Sequence, residues 1–139
     1  MGKGKKAVLI IIGLIFVLYI SESVYISSKV HSVVKASYDS YGESKAYEDI
    51  VSDEIFSRMC YRKGHIISSK DAPEAKETSK LSFPFTYHWF FGGKSTYKYS
   101  YCIYNEDGSI ASGSRDIPIT VSVCLWNGRW AINDYYEAP

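Results

Sequence analysis

Few groups in this chain of 139 residues have the chemistry for proton transfer, nucleophilic attack or metal binding. They are three histidines (His31, His65, His88), three cysteines (Cys60, Cys102, Cys124) and one well-placed carboxylate, Asp134. A zinc site needs donors one helical turn or a short knuckle apart, and the chain has neither H-x-x-x-H nor C-x-x-C. No metal and no cofactor is expected. Gly-rich phosphate loops and the sharp serine turn of hydrolases are missing as well. A nucleophilic Cys wants an imidazole beside it, and spacing supplies none. His88 falls on a strand among Tyr and Ser residues, opposite an aromatic row, and is a weak catalytic candidate against a structural or merely exposed role. Asp134 is the more interesting group. A two-residue turn at Asn127-Gly128 sets Leu125 opposite Trp130 and Val123 opposite Ile132. Continued, this register sets Asp134 opposite Val121 on the apolar face. Burial there would raise its pKa toward the range of a general base, whereas a frayed strand end would leave it in water.

Parity places the cysteines. Cys102 alternates with Lys98, Ser100 and Tyr104, and Cys124 with Thr120, Ser122 and Trp126, so both thiols point to the outer side of a sheet. Consecutive strands usually pair, which makes Cys102–Cys124 a candidate cross-strand disulfide if the two fall opposite one another in a close pair. Cys60 then remains a buried thiol at a helix end. Three reduced cysteines are the alternative.

The largest compositional signal is aromatic: 13 Tyr, 6 Phe and 3 Trp. Odd-numbered residues from Leu81 to Phe91 and from Tyr97 to Ile103 alternate with mostly polar neighbours and are core by period. Phe90, Tyr104, Trp126 and Tyr135 have the opposite parity and form a candidate binding patch for a protein partner or for self-association. Helices on both faces, or a bulge that shifts the parity, would return them to the core.

The elements that must carry these residues begin with an apolar run, AVLIIIGLIFVLYI, at residues 7–20. At 1.5 Å per residue it spans about 21 Å, and a continuous helix to Ile26 reaches the ~30 Å of a bilayer core. Lys3, Lys5 and Lys6 flank it, which predicts a cytoplasmic N-terminus and an exported remainder. Cleavage wants a small-x-small site, and only Ser21 and Ser23 offer themselves. A retained anchor is expected, ahead of a cleaved leader or a buried helix. The domain reading is therefore 1–25 for basic flank and anchor and 26–139 for an extracytoplasmic domain, with membrane contact through residues 7–26. The formal net charge is +1, and removing those three lysines leaves 13 basic against 15 acidic residues. No basic domain remains to hold nucleic acid electrostatically.

Ile26, Val30, Val33, Val34 and Tyr38 continue a helical stripe out of the anchor to a stop near Gly42. Ser44 is the expected N-cap of a second helix ending at Gly64, with Tyr47, Ile50, Val51, Ile55 and Met59 as its stripe. His65–Ser68 reads as a short strand and residues 72–79 as a brief third helix. From Leu81 the period is two, Gly92-Gly93 reads as a turn, and Ile117–Leu125 and Trp130–Ile132 form the final hairpin.

Two to three helices and about four long antiparallel strands predict an α+β domain behind a transmembrane helix. Element order over residues 26–137, and the ending Asn127-Gly128-Arg129-Trp130-Ala131-Ile132-Asn133-Asp134, resemble the nuclear-transport-factor-2-like (cystatin-like) superfamily. The resemblance implies a curved sheet wrapped on helices as a cone, with an acidic residue such as Asp134 inside it in the superfamily's enzymes. It also covers membrane-anchored secretion scaffolds. The expected function is a plasma-membrane-anchored, non-enzymatic domain that binds a protein partner or acts as an assembly scaffold. A small-molecule pocket or simple acid–base enzyme in the mouth of the cone is the alternative.

Overall fold

A computed structural model describes residues 3–40, 42–60 and 76–138. Its first element, α1, is one uninterrupted helix over Lys3–Asp39. Residues 8–18 expose their apolar side chains on all sides, whereas Ile26, Val30, Val33 and Val34 are buried. One helix thus changes from all-round apolar to amphipathic, and its second half packs on the sheet. It ends beside Gly42, whose φ of +72° is the left-handed conformation of a helix stop.

Five strands follow a short second helix. They are β1 (Lys76–Leu81), β2 (Phe85–Trp89), β3 (Gly92–Tyr104), β4 (Ile110–Trp126) and β5 (Arg129–Glu137). All pairings are antiparallel in an open sheet of order β1-β3-β4-β5, with β2 beside the first half of β3. Tyr97, Tyr99 and Tyr101 of β3, Ile119, Val121 and Val123 of β4 and Ile132 of β5 face α1 and form one core with it. The final hairpin has the expected register, Leu125 opposite Trp130 and Val123 opposite Ile132. Its turn residues Asn127 and Gly128 have φ of 49° and 75°, the backbone that Asn-Gly adopts most readily.

Several local expectations are corrected. The second helix, α2, covers only Asp53–Arg58, capped by Ser52 rather than Ser44. The Ser44 hydroxyl instead accepts from the Ala46 N–H at 3.2 Å. Ile50 and Val51 are committed elsewhere: Ile132 N–H donates to the Ile50 carbonyl at 2.7 Å, and Val51 bridges to Ile132. A backbone paired with a strand cannot also close helical turns. Residues 76–79, expected to end a third helix, form β1, because the edge of β3 offers unpaired backbone groups. Gly64, the proposed strand His65–Ser68 and residues 72–75 lie outside the described residues.

Gly92-Gly93 is not the turn. The chain reverses at Phe90-Phe91, and both glycines sit inside β3 opposite Trp89 and His88. A Cβ on Gly93 would lie 2.7 Å from the Tyr87 carbonyl oxygen, so glycine is required there for close strand approach. The parity of β2 is also opposite to expectation. Phe85, Tyr87 and Trp89 are exposed, while Thr86 is buried and His88 half-buried. Ser82–Pro84 interrupts the ladder between β1 and β2, where proline cannot donate and the side-chain phase is lost. Even-numbered residues then face the helix.

Candidate functional site

The described residues leave an open cleft of about 270 Å³ between the C-terminal half of α1 and the sheet. It lies just below the ~300–1,000 Å³ typical of small-ligand sites. Helix α1 contributes His31, Val34, Lys35, Tyr38 and Asp39, and Met59 follows α2. The strands contribute Ser79, Leu81, Tyr97, Tyr99, Ile119 and Tyr135. Its floor is apolar, and half of its polar side chains are phenols, beside His31, Lys35, Asp39 and Ser79.

Those hydroxyls are held in order. Tyr38 donates to a Glu77 carboxylate oxygen at 2.7 Å. Tyr97 and Tyr135 are hydrogen-bonded through their side chains, and the Tyr135 hydroxyl donates to Glu137 at 3.4 Å. Burial pushes the Tyr97 pKa well above that of a free phenol, and the negative potential of Tyr135 and Glu137 pushes it further. Burial and then Glu137 raise Tyr135 as well, against smaller lowering effects from Tyr97 and the Arg58 guanidinium. Both phenols keep their protons at neutral pH. As neutral phenols they do not act as general bases at that pH.

Asp134 is not in this cleft. A β-bulge between Ser122 and Val123 inserts one residue, so Asp134 pairs with Ser122 and Tyr135 takes the place opposite Val121. The Asp134 side chain is 60 % exposed and stands 3.9 Å from the Arg58 guanidinium. The exchange has a clear physical cause: a buried carboxylate costs several kcal/mol unless paired, whereas a tyrosine ring gains from burial. Asp134 as an inward general base and Tyr135 as a surface contact are both overturned by that bulge.

His88 lies near the opposite end of the sheet. It stacks on the Tyr19 ring at 4.4 Å and meets the edge of Trp130 at 5.7 Å. Its Nε2 is 3.3 Å from the Tyr19 carbonyl oxygen. The ring joins β2 to α1 instead of lying among Tyr and Ser on an open face. His31 tilts against Phe83 at the cleft rim, and His65 lies outside the described residues. Among the described residues no group of three metal-binding side chains occurs.

Of the other patch candidates, Phe90 is 88 % and Trp126 70 % exposed. They share one end of the sheet, where Leu125 N–H donates to the Phe91 carbonyl at 2.9 Å. Tyr104 is half-buried at the far end of β3, opposite Lys76 and Ile110. Cys102 pairs with Gly113, and Cys124 with Gly92 and Ala131. The two thiols are therefore far apart along β4, and register rules out a disulfide between them. A pocket was the alternative expectation, but its lining residues were not legible in the sequence, because separate elements build it. One signal for it existed: three inward tyrosines in a row on β3 each carry a hydroxyl that an aliphatic core has no use for.

Comparison with known proteins adds no relative: no family model, no curated protein and no solved structure matches the chain.

Proposed function

We propose that this chain is a single-pass membrane protein whose extracytoplasmic α+β domain binds a protein partner, receiving an apolar side chain of that partner in the tyrosine-lined cleft. The observation that carries the reading is the continuity of α1, one helix that is apolar and exposed over residues 8–18 and core-forming from Ile26 to Val34. By length and composition that helix is able to cross a membrane. The lysine flank supports a cytoplasmic N-terminus, with the domain outside the plasma membrane. A helix sheet-packed on one half and membrane-held on the other fixes the cleft at a set height above the bilayer, which suits a scaffold. Binding is preferred to catalysis because the cleft presents protonated phenols, while Asp134 faces solvent. The nuclear-transport-factor-2-like resemblance remains part of the proposal, supported by a long helix laid across an antiparallel sheet.

The test is site-specific photo-crosslinking in intact cells. A photoreactive side chain at Lys35, in the cleft wall, is expected to capture one protein adduct that a probe at Lys94 does not capture. Ser79→Trp, a change at an exposed cleft-wall position, is expected to abolish that adduct. Equal capture at both positions, or none at Lys35, would remove the partner-binding reading.

A further inference from the structure

The β2 strand runs antiparallel to α1 and toward its apolar half. The Ser27 hydroxyl bonds the Thr86 hydroxyl at 2.7 Å. Two residues along β2, the His88 N–H donates to the Tyr19 hydroxyl at 3.2 Å. Strand β2 thus descends α1 toward residues 7–20. A strand rises about 3.3 Å per residue and a helix 1.5 Å, so the Phe90-Phe91 reversal lies roughly 7 Å below His88, about four helical residues before Tyr19. The β4–β5 turn ends at the same level. Gly92 pairs with Cys124, and the Trp130 indole N–H donates to Glu22 at 3.0 Å.

Both turns carry aromatics that the other described residues leave uncovered. Trp89, Phe90, Phe91 and Trp126 are exposed together, although isolated aqueous domains rarely leave so much contiguous apolar surface uncovered. The height of this cluster identifies its cover. The sheet already packs on α1 from Ser23 onward, so lipid has full access to the helix only as far as about Ile20. Just outward of Tyr19 the Glu22 carboxylate accepts from the Trp130 indole, and His88 meets the edge of the same ring. A bilayer surface at Tyr19–Glu22 would put Phe90 and Phe91 within the 5–10 Å depth to which apolar faces enter the headgroup–acyl boundary. Trp89 and Trp126 would then sit in the aromatic belt.

We infer that the β2–β3 and β4–β5 turns form a second membrane contact, dipping Trp89, Phe90, Phe91 and Trp126 into the outer leaflet beside the spanning helix. This rests on α1 being a span. The contact extends the apolar surface of a short span and stops the domain from rotating about a single helix. Its ligand is the bilayer interface itself.

The experiment uses the full chain reconstituted into phosphatidylcholine–phosphatidylglycerol vesicles, with Trp126→Phe and Trp130→Phe leaving Trp89 as the sole tryptophan, excited selectively over the tyrosines. A companion variant, Trp89→Phe with Trp130→Phe, reports from Trp126. Alkaline carbonate washing tests the span separately. The expected result is a chain that resists the wash, with emission blue-shifted and quenched by lipids brominated near the carbonyl end of their chains. Phe90→Asp with Phe91→Asp, both at exposed positions, should abolish that quenching and leave resistance to the wash intact. A wash-resistant chain quenched instead by aqueous iodide overturns the contact and leaves the span standing. A wash-resistant chain quenched by neither reagent has its aromatics covered by protein, and overturns the contact too. Release by carbonate removes the span and this inference together.

Discussion

Tyr97 and Tyr135 are the residues whose ionisation is tied most closely to folding. Their folded pKa values lie above the free phenol value near 10, chiefly through burial. A raised pKa means that the unfolded chain gives up these protons first as pH rises. Their contribution is fully present below pH ~10 and is lost above it, with a slope of up to about 1.4 kcal/mol per pH unit for each tyrosine. Urea midpoints between pH 8 and pH 11, on the ~10 scale of a free phenol, should fall steeply above the middle of that range. The double change Tyr97→Phe, Tyr135→Phe should flatten the fall. An unchanged slope in the double variant would mean that other groups cause the alkaline loss. Asp134 gives the contrasting lesson, since its place next to Tyr135 in sequence says nothing of which of the two enters the core.

At the scale of elements, β2 and β3 depend on close backbone approach, and Gly93 is where this is most demanding. A methyl group 2.7 Å from the Tyr87 carbonyl oxygen meets backbone, not a movable side-chain tip. Gly93→Ala should therefore cost about 1–3 kcal/mol, in the range of overpacking changes, read as a lower urea midpoint with an unchanged m-value. Because β2 carries the Thr86 and His88 contacts to α1, the same change should loosen the sheet from α1 and increase amide exchange in β2. Wild-type exchange there would show that the strands part without strain. The glycines were visible in the sequence, but a Gly-Gly pair reads equally as a turn or as a close approach. Only the position of the β2 backbone distinguishes the two.

The whole molecule is organised around α1, whose first half is apolar and exposed and whose second half belongs to the core. Its orientation should follow the lysine flank: Lys3→Glu, Lys5→Glu and Lys6→Glu together should weaken or invert insertion. Protease added to intact cells would cleave the wild-type domain and spare that of the variant; equal cleavage would dissociate orientation from these lysines. Inversion would carry the cleft and the aromatic turns to the other side of the membrane, since all of them are fixed to the same helix.

Periodicity by itself determined the long helix with its Ile26–Val34 stripe, the inward faces of β3 and β4, and the Leu125–Trp130 and Val123–Ile132 pairs. Each is a local repeat or a two-residue turn, and burial of one face is enough to select it. Tertiary structure alone decided whatever depends on a phase shift or on competition for backbone groups. The interruption at Ser82–Pro84 reversed the faces of β2, and one inserted residue in β5 exchanged Asp134 for Tyr135. Pairing of Ile50 and Val51 with β5 shortened the second helix to Asp53–Arg58. The register of β3 against β4 separated Cys102 from Cys124. A single residue of offset costs little in sequence pattern but inverts every side chain beyond it, so parity holds only between such breaks. The cleft has the same origin, because its tyrosines come from separate elements and meet only once the sheet has closed on the helix.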